Sequence, residues 1–172
     1  MTCIVGIADG VNVYIGSDRS AADDITITSM CRPKVHIKND FIFAYAGSFG
    51  TGQLMEMIVD LDITHDDPYF TIRLFMVEQM KKAIDAFGST SEENVAQFLI
   101  GCKGRLFEFS TDDWSVIEVE ESAVGSGGSI ALGSLYTTKS IYTDHSIRIR
   151  MALEAAIHYS PTCAGPIDVL CL

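Results

Sequence analysis

The sequence predicts an α+β fold: two mainly antiparallel sheets set between pairs of helices. Three observations predict it. Apolar, β-prone runs come in pairs joined by turn signals at Asp9-Gly10, Asn39-Asp40 and Lys103-Gly104. Helical periodicity appears in two separate blocks, near 51–86 and near 129–158. Strands joined directly by hairpins make antiparallel sheets, unlike the strand–helix alternation of a doubly wound fold.

Taken in order, residues 3–8 and 11–17 are two strands turning at Asp9-Gly10, where both turn positions are expected to need positive φ. Residues 19–33 are more polar and read as an irregular excursion. Val35 to Lys38 and Phe41 to Ala46 form a second hairpin. A helix begins near Thr51, with Leu54, Met57, Ile58 and Leu61 at helical spacing, and breaks at His65 to Pro68. A longer helix over about 69–86 closes at Gly88-Ser-Thr-Ser91. Ala96 to Ile100 and Arg105 to Phe109 make a third hairpin, and Ser115 to Val119 and Ala123-Val124 continue the strand pattern. Gly125-Ser126-Gly-Gly128 marks a strand-to-helix turn before a helix at about 129–138. Asp144 caps a further helix at about 145–158, and Ile167 to Leu172 is a final strand.

The chain of 172 residues is expected to form a single domain, 1–172, with enough apolar residues, 48%, for a proper core. Its formal charge of −11 argues against nucleic acid as a partner, because phosphate contacts need clustered Lys and Arg. No apolar stretch reaches the ~18 residues of a membrane helix, so no membrane partner is expected. The first residues lack the basic and apolar regions of a signal peptide, and a cytoplasmic location is expected. Cys3, Cys31, Cys102, Cys163 and Cys171 make no CxxC pair and no metal-ligand spacing with His. They read as reduced, mostly buried residues, and neither metal nor cofactor is expected.

The chemistry-bearing pattern lies in the first 34 residues. Thr2 opens the first strand, Asp18 ends the second 16 residues later, and Lys34 follows after another 16. Loss of Met1 would make Thr2 a chain terminus, with a hydroxyl nucleophile and a basic amine on one residue. The hydroxyl attacks a carbonyl and the α-amine takes the proton, directly or through water. An α-amine titrates near ~7.7–8.0, closer to neutrality than a lysine near ~10.4. Lys34 can supply a neighbouring ammonium, Asp18 can hold it in place, and the N–H of Gly47 at a strand end can receive the oxyanion. Thr is small enough for methionine aminopeptidase to remove the residue before it.

With Thr2, Gly16-Ser-Asp18, Pro33-Lys34-Val35, Ala46-Gly47 and Gly125-Ser126-Gly-Gly128 in this order, the chain resembles the proteasome β-subunit family of N-terminal nucleophile hydrolases, HslV and the stand-alone bacterial homologues in particular. Both 16-residue separations match that family's spacing. The resemblance implies a four-layer αββα sandwich, a threonine-type endopeptidase, and homo-oligomeric stacked rings enclosing the sites. Peptide or unfolded protein would be the substrate, and there is room for an ATPase unfoldase as partner. It implies Thr2 as nucleophile, Asp18 and Lys34 as its charged support, Gly47 as oxyanion donor and Ser126 beside the Thr2 amine. One departure stands out: where many family members carry an Asp and a Ser, this chain has Pro161 and Ala164.

Other readings of the same residues remain. The chemistry also suits an amidohydrolase acting on a small amide, and a catalytically silent ring subunit would carry the same fold. Gly125-Ser-Gly-Gly128 could cradle a phosphate, but it lacks the Lys-Ser/Thr of a P-loop and a βαβ setting. Cys3 as nucleophile would shift both spacings by one. His36, His65, His145 and His158 show no triad logic. Tyr45 and Cys31 are candidate pocket walls.

Overall fold

The computed structural model describes residues 2–22, 25–58, 67–87 and 95–172. Met1, Leu61, His65 and the stretch Gly88-Ser-Thr-Ser91 lie outside the described residues, so the expectations placed on them are not addressed. Strands β1 (Ile4–Ala8), β2 (Val13–Asp18), β10 (Glu121–Val124) and β11 (Ile167–Cys171) form one sheet in the order β10-β1-β2-β11. Strands β5 (Val35–Lys38), β6 (Phe41–Gly47), β7 (Ala96–Cys102), β8 (Arg105–Ser110) and β9 (Val116–Val119) form the second, in sequence order. All the pairings within them are antiparallel.

The hairpins form where the turn residues placed them. Lys103 (φ 48°) and Gly104 (φ 71°) are both left-handed, as a two-residue hairpin loop requires. Asp9-Gly10 differs from expectation. β1 pairs with β2 through Ala8 opposite Val13, leaving a four-residue connection in which the Asp9 carboxylate accepts from Val11 N (2.9 Å) and Asn12 N (2.7 Å). Only Gly10, at φ 86°, needs the left-handed region there. The excursion at 19–33 contains a small hairpin, β3 (Ser20–Ala22) with β4 (Ile27–Ser29). Its β4 residues are all exposed, so no apolar alternation announced it.

Helix α1 spans Phe49–Ile58. The next helical stretch starts at α2 (Pro68–Phe70), with Pro68 in its first turn and Asp67 capping Tyr69 N at 3.0 Å. It passes through a π-helical segment (Thr71–Met76) into α3 (Val77–Phe87). Helix α4 is Gly128–Thr138. Helix α5 is His145–Tyr159, capped as expected by Asp144, which accepts from Ser146 N and Ile147 N.

Three apolar clusters stack through the molecule. Phe43, Tyr45, Met55, Met80, Phe98 and Phe109 join the second sheet to α1 and α3. Ile4, Ile15, Ile42, Ala44, Leu99 and Leu106 lie between the two sheets. Val5, Ala131, Leu135, Ile149 and Leu153 join the first sheet to α4 and α5. Strand alternation produces this: in β1, Ile4 faces one cluster and Val5 the other. The chain switches sheets between β9 and β10, so the start of β1 meets the end of β10 and the turn after it.

Cys3, Cys102 and Cys163 are buried free thiols, while Cys31 and Cys171 are exposed. Arg148, on the apolar side of α5, is buried and donates to Glu121 (2.7 Å) and to the Leu135 carbonyl (2.9 Å). Among the described residues, no helix is long and apolar enough to cross a membrane, and no group of His, Cys, Asp and Glu could hold a metal ion.

Candidate active site

The first residue of β1's approach, the last of β2 and the residue before β5 come together. Thr2, Asp18 and Lys34 are all buried, at 3%, 0% and 0% exposure. The Thr2 hydroxyl donates to Asp18 Oδ1 and accepts from Lys34 Nζ, and Lys34 Nζ also donates to Asp18 Oδ1 at 3.0 Å. One threonine oxygen thus lies between a carboxylate and an ammonium. Burial pushes the Lys34 amine below its ordinary range, opposed mainly by attraction to Asp18.

Asp18 is fixed from both sides. Its Oδ1 also accepts from Cys3 N at 3.1 Å, and its Oδ2 accepts from the Ser20 hydroxyl and from Ala164 N at 3.3 Å. Asp18 N donates to the Cys3 carbonyl (3.2 Å), and Arg19 N donates to the Ala164 carbonyl (3.3 Å). The Arg19 guanidinium forks onto Asp168 with two contacts of 2.6 Å, tying the end of β2 to β11.

Gly47 and Ser126 complete the arrangement from later in the chain. A cavity of about 490 Å³ is bounded by Thr2, Ala46, Gly47, Gln97, Gly125 and Ser126 among others. Gly47 sits at φ 101°, and a Cβ there would fall 2.5 Å from the Val95 carbonyl oxygen, so the strand end admits glycine alone. Gly125, at φ 89°, is constrained the same way: a Cβ would fall 2.3 Å from the Thr2 carbonyl oxygen. That close approach lets Gly127 N and the Ser126 hydroxyl each donate to the Thr2 carbonyl at 3.3 Å.

Asp18, Lys34, Gly47 and Ser126, the other four site residues singled out from the sequence, therefore gather around Thr2. Ser20, Ser160 and Thr162 were missed as support, while Ala164, expected only as a departure that loses a side-chain contact, supports Asp18 through its backbone N–H. Ser20 carried a weak signal, lying two residues beyond Asp18 where strand geometry returns a side chain to the same face. Neither Tyr45 nor Cys31 lines the cavity. Tyr45 is buried beneath α1 with its phenol pushed up to about 12 by burial, and Cys31 is exposed with its carbonyl accepting from Arg19 at 2.9 Å.

No family model matches the chain, and no curated protein does. Solved structures do. BPH from Thiobacillus denitrificans superposes with a TM-score of 0.80 at 20% identity, over 100% of this chain and 97% of that one. The same protein in complex with epoxomicin gives 0.78 at 19%, over 100% and 98%. HslV from Trypanosoma brucei gives 0.72 at 18%, over 99% of both chains, and Anbu from Yersinia bercovieri 0.75 at 13%, over 100% of this chain and 81% of that one. The fold is that of HslV and the bacterial proteasome-like β-subunits, as the sequence resemblance implied.

Proposed function

We propose that the chain is an N-terminal threonine endopeptidase, active once Met1 is removed. The observation that carries this reading is the placement of the Thr2 oxygen against both Lys34 Nζ and Asp18, at the edge of an open cavity. With Met1 gone, the Thr2 hydroxyl attacks the scissile carbonyl carbon, forming the Oγ–C bond, and its proton passes to the α-amine. Lys34 stabilises the oxygen as charge develops, and Asp18 keeps Lys34 charged and in place. The Gly47 N–H stabilises the oxyanion, and the amine returns the proton to the leaving nitrogen. Water then resolves the acyl-enzyme by the reverse sequence.

In this reading residues 1–172 are one domain, the three stacked apolar clusters are the cores of a four-layer αββα sandwich, and identical subunits assemble into stacked rings around the cavity. Peptides or unfolded proteins are the substrates, delivered by an ATPase unfoldase partner. The free cysteines fit a reducing, cytoplasmic setting.

Mass spectrometry of the native protein is expected to show a chain beginning at Thr2. An epoxyketone such as epoxomicin should label it there. Thr2→Ala should lose both labelling and hydrolysis of fluorogenic peptides, and unchanged turnover in that variant would overturn the reading. Light scattering should give a ring-sized species, whereas one or two chains would favour a small-amide hydrolase.

A further inference from the structure

The turn that clamps the Thr2 carbonyl is itself held by a chain of three hydroxyls. Ser126 Oγ lies 3.3 Å from the Thr2 carbonyl oxygen and 2.7 Å from Thr162 Oγ1, and Thr162 Oγ1 lies 3.0 Å from Ser160 Oγ. Valence fixes the direction of every bond. A carbonyl only accepts, so Ser126 spends its one proton on Thr2 and must accept from Thr162. Thr162 has then spent its own proton and must accept from Ser160. The Ser160 oxygen accepts in turn from Thr162 N at 3.4 Å. Protons point one way along the series, from Ser160 through Thr162 and Ser126 to the Thr2 carbonyl.

The same segment reaches the other side of the site. The Thr162 carbonyl lies 3.0 Å from the hydroxyl of fully buried Ser20, whose single proton is shared between that carbonyl and Asp18 Oδ2. Thr162 thus touches Ser126 with its side chain and, through Ser20, the support of Asp18 with its backbone. Pro161, beside it, has neither an N–H nor a polar side chain to offer.

We propose that Thr162 is a positioning residue of the Thr2 site. Its hydroxyl sets the rotor of Ser126, so that Ser126 and Gly127 together fix the carbonyl, and with it the orientation, of the nucleophilic residue. The inference rests on Thr2 being the nucleophile. Thr162 touches no reacting atom, so it acts on the rate of the chemical step and not on substrate binding. The series contains no titratable group, so loss of a link lowers the pH–rate profile without moving its limbs.

The test compares Thr162→Val, nearly the same shape without the hydroxyl, with Thr162→Ser, which keeps it. Thr162→Val is expected to lower kcat about fivefold, the loss of one neutral hydrogen bond. KM should stay within about twofold, with both limbs of the pH profile in place, and Thr162→Ser should recover most of the loss. Ser160→Ala, one bond further out, should give a smaller loss of the same kind and serves if Thr162→Val does not fold. Wild-type kcat in Thr162→Val, or equal impairment in Thr162→Ser, overturns the inference and leaves the Thr2 reading standing. A wild-type protein inert to peptides and to epoxyketone removes that reading itself.

Discussion

Asp18 and Lys34 are unequal partners, and the inequality is measurable. Lys34 is buried with its ammonium facing Asp18 and the Thr2 oxygen. Asp18 would keep Ser20, Cys3 N and Ala164 N if Lys34 were absent. Asp18→Ala therefore strands a buried ammonium and is expected to cost about 3–5 kcal/mol. Lys34→Met removes the charge and leaves the carboxylate with its other donors, so it should cost clearly less while still abolishing turnover. Urea unfolding of both variants checks the order. The trio was legible in the sequence because Thr2 and Asp18 mark the two ends of a hairpin pair whose register is fixed by burial. Ser20 and Thr162 were not, because their link spans 142 residues and leaves no local pattern.

At the level of elements, legibility followed turn chemistry. Lys103-Gly104 and Asn39-Asp40 gave correct hairpins because the backbone signs demanded there are rare outside such loops. The β3–β4 hairpin escaped because both its strands are short and β4 faces solvent throughout. The π-helical segment at Thr71–Met76 escaped because one extra residue per turn barely disturbs an apolar pattern read at helical spacing. The Gly125 turn belongs to this scale. Gly125→Ala forces a left-handed alanine against the Thr2 carbonyl and is expected to cost about 1–3 kcal/mol. It should also slow epoxyketone labelling by displacing Thr2, which distinguishes it from a remote core defect of equal cost.

For the whole molecule, the buried thiols set the response to alkali. Burial pushes the Cys102 thiol up to about 12 and the Cys3 thiol higher still, and holds the Tyr45 phenol at about 12. In the unfolded chain these groups release protons from about 8.5 for the thiols and about 10 for the phenol. Above pH ~8.5 the native state then binds more protons than the unfolded one, so stability falls as pH rises. Lys34 has the opposite sign. Its depressed value makes the unfolded chain hold the extra proton until about 10.4, which raises stability over that window. Two thiols outweigh one lysine, and the net fall steepens beyond pH ~10 when the phenol joins. Urea midpoints at pH 8 and pH 10 should show the loss, and Cys102→Ala should flatten it.

The pairing of β11 with β2, in which Ile167 sits opposite Asp18, bears on the order of synthesis. Ala164, which donates to Asp18, is 146 residues later in the chain. A nascent polypeptide that has emerged only as far as Tyr159 has Thr2, Asp18 and Lys34 in full, yet lacks Thr162, Ala164 and the strand that closes the sheet beside them. Synthesis therefore has to run past Ala164 before the Asp18 carboxylate beside Thr2 gains its last backbone donor. On the proposed reading of Thr2 as nucleophile, a partly synthesised chain carries the threonine without its finished surroundings, a delay set by the strand order itself.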